Sequence, residues 1–171
     1  AHQFASDGES WLIGFEKRLY RIRGDSFKDI TKMLPRSLTI TATSYIPEKK
    51  MWLIGGYSDS SSGDPVLIST TSPLSESRYK DLSEKIKDFR FPDFIAWNGK
   101  QLLIGGNGLI AANKDLNEFT KLSLDQSFWP LLHALWVDDR WLIAGAKMFE
   151  TKDGSSFDDL SSKINIRNYF S

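Results

Sequence analysis

The sequence predicts an all-β fold, a β-propeller of four four-stranded antiparallel blades that is either a closed four-bladed ring or part of a larger ring. The first observation behind this prediction is an apolar strand pattern, Trp-Leu-Ile-Gly or a close variant. It recurs four times at intervals of about 40 residues, at positions 11–14, 52–55, 102–105 and 141–144. Strands without polar alternation suit sheets that neighbouring blades cover on both faces.

The second observation is an aromatic residue followed three positions later by an aliphatic one. This pair comes once after each apolar strand, beginning at Phe27, Tyr79, Phe119 and Phe157. In the second copy the polar residues 58–65 lengthen the gap, so we interpret them as an inserted loop. The constant order of the two patterns predicts one blade per copy, approximately 1–34, 35–87, 88–124 and 125–171, in a single domain spanning 1–171.

The third observation concerns the turns. Asp7-Gly8, Asn98-Gly99 and Asp138-Asp139 each precede an apolar strand, where a tight hairpin needs residues that tolerate positive φ. Helical repeats have similar periods, but no copy contains an amphipathic stretch long enough for a repeat helix. The C-terminal segment aligns with the approach to an inner strand. The ring could therefore close on itself, belong to a larger propeller, or pair with a second copy.

Composition excludes several functional classes. The 22 basic and 22 acidic residues give no net charge, so no nucleic-acid partner is expected. Without cysteine there is no disulfide or thiolate chemistry, and the two histidines lack a neighbouring acidic ligand pair, so neither a metal site nor another cofactor is expected. No apolar run approaches the length of a membrane span, so no membrane insertion is expected.

Two short resemblances support the propeller prediction. The Leu-Ile-Gly-Gly strands at 53–56 and 103–106 resemble a kelch-type blade. The segments 6–11 and 151–157 are similar to the Asp-box turn of sialidase-like propellers, although they occupy different hairpins of the blade. Both resemblances imply the propeller fold, and no catalytic residue of either family is carried over.

The loops that connect the last strand of one blade to the first strand of the next are the predicted ligand face. These loops are 32–38, 84–92, 125–130 and the segment from 163 onward. The candidate ligand-binding residues in them are Arg36, Arg90, Arg167, Trp129 and Tyr169. Convergent guanidinium groups would bind a carboxylate or sulfate through bidentate hydrogen bonds. The alternative is that these arginines pair with nearby carboxylates and have no ligand.

The sequence favours a non-catalytic binding or scaffolding module that recognises a protein or an acidic carbohydrate, in an extracellular or surface-exposed location. The chain could also act as a homodimer or in a larger assembly. The alternative is a sialidase-like glycoside hydrolase or lyase for acidic sugars, in which carboxylates and a tyrosine act beside the arginines. Its only candidates are Tyr45, Glu48 and Asp93.

Overall fold

In the computed structural model, residues 2–60, 62–90, 92–125 and 129–163 are described, and they form four antiparallel sheets of four strands each. Strand order within each sheet follows the sequence. Blade 1 consists of β1 (His2–Ser6), β2 (Trp11–Phe15), β3 (Arg18–Arg23) and β4 (Ser26–Asp29). Blade 2 consists of β5 (Leu38–Ile46), β6 (Met51–Ser58), β7 (Pro65–Thr70) and β8 (Tyr79–Asp81).

Blade 3 consists of β9 (Pro92–Trp97), β10 (Gln101–Gly106), β11 (Gly108–Asn113) and β12 (Phe119–Leu122). Blade 4 consists of β13 (Leu131–Val137), β14 (Arg140–Gly145), β15 (Met148–Thr151) and β16 (Asp158–Asp159). Four short 3₁₀ helices lie between strands of the described residues, at Thr31–Met33, Pro47–Lys49, Glu76–Arg78 and Ser83–Ile86. The predicted four four-stranded antiparallel blades are confirmed.

The predicted hairpin turns have the backbone conformation that their residues favour. Gly8 and Gly99 adopt φ of 92° and 91°, and Asp138 and Asp139 adopt 46° and 69°. In the first turn, the Asp7 carboxylate accepts hydrogen bonds from the backbone N–H groups of Glu9 and Ser10, at 2.9 and 2.6 Å. Side chains that satisfy the turn backbone in this way fix the register of the hairpins.

Three hydrophobic cores hold the blades together, one at each junction between consecutive blades. Leu12 and Leu19 of blade 1 pack with Ile54 of blade 2, and Leu53 of blade 2 packs with Ile104 of blade 3. The third core joins blades 3 and 4 through the residues Phe94, Leu103, Leu109, Leu131, Trp141, Ile143 and Phe149. Inner strands β1, β5, β9 and β13 pack in that order. Among the described strands, no comparable packing joins blade 4 to blade 1.

The tryptophans at equivalent positions of the apolar strands differ in burial. Trp52 and Trp141 are 3% and 1% exposed, whereas Trp11 is 46% exposed. Trp11 lies on the side of blade 1 that faces away from blade 2, where no described blade precedes it. Its exposure therefore follows from its place at the end of the row of blades.

Strand direction gives the propeller two opposite faces. The loops that lead into β5, β9 and β13 lie on one face, which we call the connection face. The turns between the first and second strands of each blade lie on the other, which we call the hairpin face. No helix among the described residues is long and apolar enough to span a membrane.

Candidate functional site

The predicted ligand-binding residues that the structure describes all lie at the connection face. Arg36 precedes β5, Arg90 precedes β9, and Trp129 precedes β13. Arg167 and Tyr169 lie outside the described residues. The structure therefore places three of the five candidates at three successive blade connections.

Arg36 is held by an ion pair. Its guanidinium lies 3.0 Å from a carboxylate oxygen of Asp81, at the end of β8, and both side chains remain partly exposed. A guanidinium has five N–H donors in a fixed plane, so this pair orients Arg36 and leaves other donors for a ligand. The partner is Asp81 and not one of the carboxylates closest to the arginines in sequence.

A cleft of about 550 Å³ opens beside this ion pair. Besides Arg36 and Asp81 it is lined by Asp64, Pro65, Ser83, Glu84 and Lys87. Three carboxylates and two cationic groups therefore share its wall. Such a surface offers hydrogen-bond donors and acceptors together, and suits a ligand that is polar or carries both charges.

The inserted loop of blade 2 forms one side of this cleft. Hydroxyl groups of Ser58, Ser60 and Ser62 are linked at 2.6 and 2.8 Å, and Ser62 donates to Asp64 at 2.7 Å. Asp64 in turn lines the cleft. This row of hydrogen bonds links Ser58 to Asp64, which lines the same cleft as Arg36.

Asp59, in the same loop, connects blades 1 and 2 at the connection face. It accepts a hydrogen bond from Ser37 at 2.6 Å and pairs with Lys17 of blade 1 at 3.1 Å. The hydrogen bond from Ser37, with the Lys17 ammonium, lowers the pKa of Asp59 below its usual value. Sequence analysis could not identify this role, because the role depends on three separate loops meeting in space.

Asp93 is the second residue of β9 and lies at the connection-face end of that inner strand. Its side chain is half-buried, and burial raises the pKa of its carboxyl group above the usual value. Arg90 is exposed three residues earlier. The structure thus keeps Asp93 and Arg90 at the same end of blade 3.

Trp129 occupies a different environment from a fully exposed stacking residue. It is partly buried and packs against the core between blades 3 and 4, and its peptide bond to Pro130 is cis. Its indole N–H is buried and has no hydrogen-bond partner among the described residues. An unpaired buried donor is costly, and its burial keeps this N–H away from the surface where a ligand would bind.

A second cleft, of about 410 Å³, lies at the hairpin face between blades 1 and 2. Asp7, Glu9 and Tyr45 are among its lining residues. Burial, followed by the charges of Asp7 and Glu9, raises the pKa of Tyr45. Tyr45 is near the last residue of β5, and Arg36 precedes the first residue of that strand. The hairpin-face cleft and the cleft beside the Arg36–Asp81 ion pair therefore lie at opposite ends of β5.

The remaining enzyme candidate, Glu48, also lies near the hairpin-face end of β5. Its carboxylate accepts a hydrogen bond from the indole N–H of Trp97 at 3.0 Å. No group of three His, Asp or Glu side chains within the described ranges is arranged to hold a metal ion. The structure therefore does not bring Tyr45 or Glu48 together with Arg36.

Solved structures with the same arrangement of sheets identify the fold. The WD40 β-propeller domain of Doa1 superposes with a TM-score of 0.68 and 12% sequence identity, covering 95% of this chain and 55% of that one. The chain has the β-propeller fold. TolB from Acinetobacter baumannii matches this propeller with a TM-score of 0.61 and 10% identity, over 94% of this chain and 43% of that chain.

A third propeller match is the Bacteroides ovatus xyloglucan PUL protein GH43B, with a TM-score of 0.55 and 12% identity. The alignment covers 92% of this chain and 40% of GH43B. No protein-family profile and no curated protein sequence matches the propeller. The chain thus spans about half the length, or less, of these three structures.

Proposed function

We propose that this propeller is a non-catalytic binding and scaffolding module that recognises a protein or an acidic carbohydrate at its connection face. The observation that carries the proposal is the Arg36–Asp81 pair, which presents an oriented and partly exposed guanidinium at the edge of the mixed-charge cleft. Arg90 and Trp129 extend the proposed surface across the next two connections. We propose that Arg167 and Tyr169 also belong to this ligand-binding surface.

The charges of the cleft support a ligand with both donors and acceptors. A carboxylate or sulfate group would bind the free donors of Arg36, with Lys87 as a second cation. Hydroxyl or amide donors of the same ligand would bind Asp64 and Glu84. Loops of proteins and acidic sugars both offer this combination, which is why the two ligand classes are proposed together.

The other parts of the proposal concern location and assembly. We propose an extracellular or surface-exposed location, and we retain the kelch-like and Asp-box resemblances as hypotheses about individual strands and turns. We also propose that the chain associates into a homodimer or a larger assembly. It would use the end blades and leave the connection face open.

A binding assay on matched arginine variants tests the ligand proposal. Oligogalacturonate and an oligo-aspartate peptide serve as acidic probes at low ionic strength. We expect Arg36→Ala to weaken binding by at least about tenfold, because a charge-assisted hydrogen bond contributes about 1.5–3 kcal/mol. The matched control is Arg140→Ala, because Arg140 lies on the hairpin face and pairs with Glu150 at 3.0 Å with similar exposure.

The control decides how the result is interpreted. Equal losses in the Arg36 and Arg140 variants would indicate a nonspecific electrostatic effect and contradict a site at the connection face. Failure of both probes to bind the unaltered chain would contradict recognition of acidic ligands.

A sialidase-like glycoside hydrolase or lyase is the second candidate, because the hairpin-face cleft gathers Asp7, Glu9 and Tyr45. The raised pKa of Tyr45 keeps its hydroxyl protonated at neutral pH, which disfavours it as a nucleophile. Hydrolysis of acidic oligosaccharides that is lost in both Tyr45→Phe and Glu9→Gln would favour this enzyme over the binding module.

A further inference from the structure

The hairpin-face cleft between blades 1 and 2 is bordered by three connections between strands. Asp7 and Glu9 come from the turn between β1 and β2, Lys50 comes from the connection between β5 and β6, and residues 71–74 follow β7. Arg21 of β3 also lines the cleft, with aromatic residues of β5 and β6. Its volume of about 410 Å³ is in the range of small-molecule sites.

The cationic groups of this cleft have no carboxylate partner. Arg21 donates a hydrogen bond to the neutral hydroxyl group of Ser10 at 2.8 Å. Within the described ranges, neither Arg21 nor Lys50 forms an ion pair. Because a guanidinium has five N–H donors, the bond to Ser10 orients Arg21 and leaves donors for a ligand.

The carboxylates of the cleft already have donors. Asp7 accepts the two backbone hydrogen bonds of its own turn, and Glu9 pairs with Arg23 at 2.6 Å. With Arg23 included, three cations share this region with two carboxylates. The unused hydrogen-bonding capacity of the cleft is therefore that of donors and cations, which favours an anionic group of a ligand.

The repeat shows that packing between blades does not require Arg21. Arg21 lies opposite the leucine of the apolar strand in blade 1, and the corresponding positions of blades 2 and 3 carry Ser69 and Ala111. These two small residues are buried, whereas Arg21 is partly exposed. A long cationic side chain at this position is thus a feature of the first junction, where the cleft lies.

Tyr45 is a second feature of this junction. It lies opposite Trp52, with ring centroids 4.7 Å apart. The corresponding positions of blades 3 and 4 carry Trp97 and Trp136, which have no hydroxyl group. The Tyr45 hydroxyl has no hydrogen-bond partner among the described residues, and burial raises its pKa, so it remains a donor at neutral pH.

The connection between β7 and β8 gives the cleft an apolar wall beside these donors. Residues 71–78 form this connection, which is longer than the corresponding ones at 24–25, 114–118 and 152–157. Tyr79 donates a hydrogen bond to the Pro73 carbonyl oxygen at 2.8 Å and so fixes the connection against β8. Leu74 lines the cleft and is 41% exposed, so an apolar group of a ligand would shield it from water.

We propose that the hairpin-face cleft binds a carboxylate that has an apolar group next to it. Arg21 and Lys50 bind the carboxylate, the Tyr45 hydroxyl donates to the same group, and Leu74 covers the apolar group. Such a ligand is either the end of a peptide with an apolar last residue or a small aromatic monocarboxylic acid. This inference goes beyond the site proposed at the connection face, and it assigns binding and no reaction to the cleft.

Three small probes test the chemistry of the site. N-acetyl-phenylalanine has the carboxylate and the ring, its amide lacks the charge, and N-acetylglycine lacks the ring. By titration calorimetry at low ionic strength, we expect the first to bind at least about tenfold more tightly than either of the others. 3-Phenylpropionate distinguishes the sources, because equal affinity indicates a small acid and weaker affinity indicates a peptide end.

Matched variants test the position of the site. Arg21→Gln should weaken binding of N-acetyl-phenylalanine by at least about tenfold, because a charge-assisted hydrogen bond is lost. Lys50→Gln should weaken it about threefold, because the Lys50 ammonium is exposed. The controls are Lys49→Gln and Arg140→Gln, whose ion pairs lie in blades 3 and 4. Both controls should bind as the unaltered chain does.

Several results would overturn the proposal. These are equal affinity for the acid and its amide, equal losses in the Lys50 and Lys49 variants, or no binding by the unaltered chain. Circular dichroism checks folding, and if Arg21→Gln does not fold, the exposed Lys50 position decides the result. Arg36→Ala should retain full affinity for N-acetyl-phenylalanine, which separates failure here from failure of the site at the connection face.

Discussion

The internal junctions lie between consecutive blades, whereas the blade 1 end face and the blade 4 end face are the outer sheet faces of blades 1 and 4. Both are built from the same residue types, but these side chains are buried at the junctions and exposed at the end faces. Leu53 and Leu103 are fully buried at the internal junctions, whereas the equivalent Leu142 is partly exposed at the blade 4 end face. Trp52 and Trp141 are likewise buried, whereas Trp11 is exposed at the blade 1 end face. Burial at these positions is therefore decided by whether a neighbouring blade is present.

This difference shows what a blade contributes by itself. Hydrogen bonds between its four strands satisfy the backbone of the sheet, but each apolar face gains free energy only when another blade removes it from water. Inner blades obtain this stabilisation twice, and each end blade obtains it once. Substitutions at equivalent positions should consequently have unequal effects.

The largest expected difference is between Trp141→Ala and Trp11→Ala. Removing the buried Trp141 side chain should cost about 3–5 kcal/mol, because it leaves a cavity in the core between blades 3 and 4. At a concentration low enough for the monomer, removing Trp11 should cost about 1 kcal/mol or less. Denaturant unfolding monitored by circular dichroism measures both free energies.

Protein concentration sharpens this comparison. If a second copy covers the blade 1 end face, association stabilises the unaltered chain more as its concentration rises, whereas the Trp11→Ala variant has lost part of that contact. The cost of Trp11→Ala should therefore increase with protein concentration. Equal costs for the two substitutions in the monomer would show that Trp11 is packed as well as Trp141, and would contradict the distinction between junctions and end faces.

Much of the fold could be predicted from the sequence because the repeat is carried by local features. The apolar strand, the aromatic residue after it and turns such as Asn98-Gly99 each determine a strand or a hairpin without distant contacts. The exposure of Trp11 could not be predicted in this way. A repeat identifies equivalent positions, but it does not show which copy stands at an end.

The candidate site was less accessible to sequence analysis. Loop order alone placed Arg36 and Arg90 at one face, and the structure places them there. The Arg36–Asp81 pair and the Asp59 contacts depend on which loops meet in space, and residues far apart in sequence give no local signal for that. Trp129 was expected to be a loop residue, and its packing against the core depends on blades 3 and 4 together.

A smaller effect is expected at the glycine position of the apolar strand. In Gly55→Ala the new methyl group would lie 2.7 Å from the ring of Pro92, across the junction between blades 2 and 3. Because the proline ring cannot rotate away, we expect a cost of about 1–3 kcal/mol. Ala144 already carries a methyl group at the equivalent position of the blade 4 end face. Thermal melts should show Gly55→Ala clearly destabilised and Ala144→Gly destabilised by about 1 kcal/mol or less.

Equal and small changes in both variants would mean that the junction between blades 2 and 3 has room for a methyl group. In that case the glycine would not distinguish internal junctions from the end face.

The smallest expected effects come from two aspartates whose pKa values shift in opposite directions, Asp93 in blade 3 and Asp29 in end blade 1. Burial raises the pKa of Asp93, so ionising this carboxyl group in the folded protein costs stability. That cost is absent below pH 3.8, the usual pKa, and grows as the pH rises through the folded-state pKa. Hydrogen bonds from Thr31 lower the pKa of Asp29, so its contribution is present above 3.8 and is lost as pH falls through the folded-state pKa. At neutral pH, Asp93→Asn should therefore raise the melting temperature and Asp29→Asn should lower it. Melts between pH 3 and pH 8 measure both profiles, and shifts of the same sign at neutral pH would contradict the assigned environments.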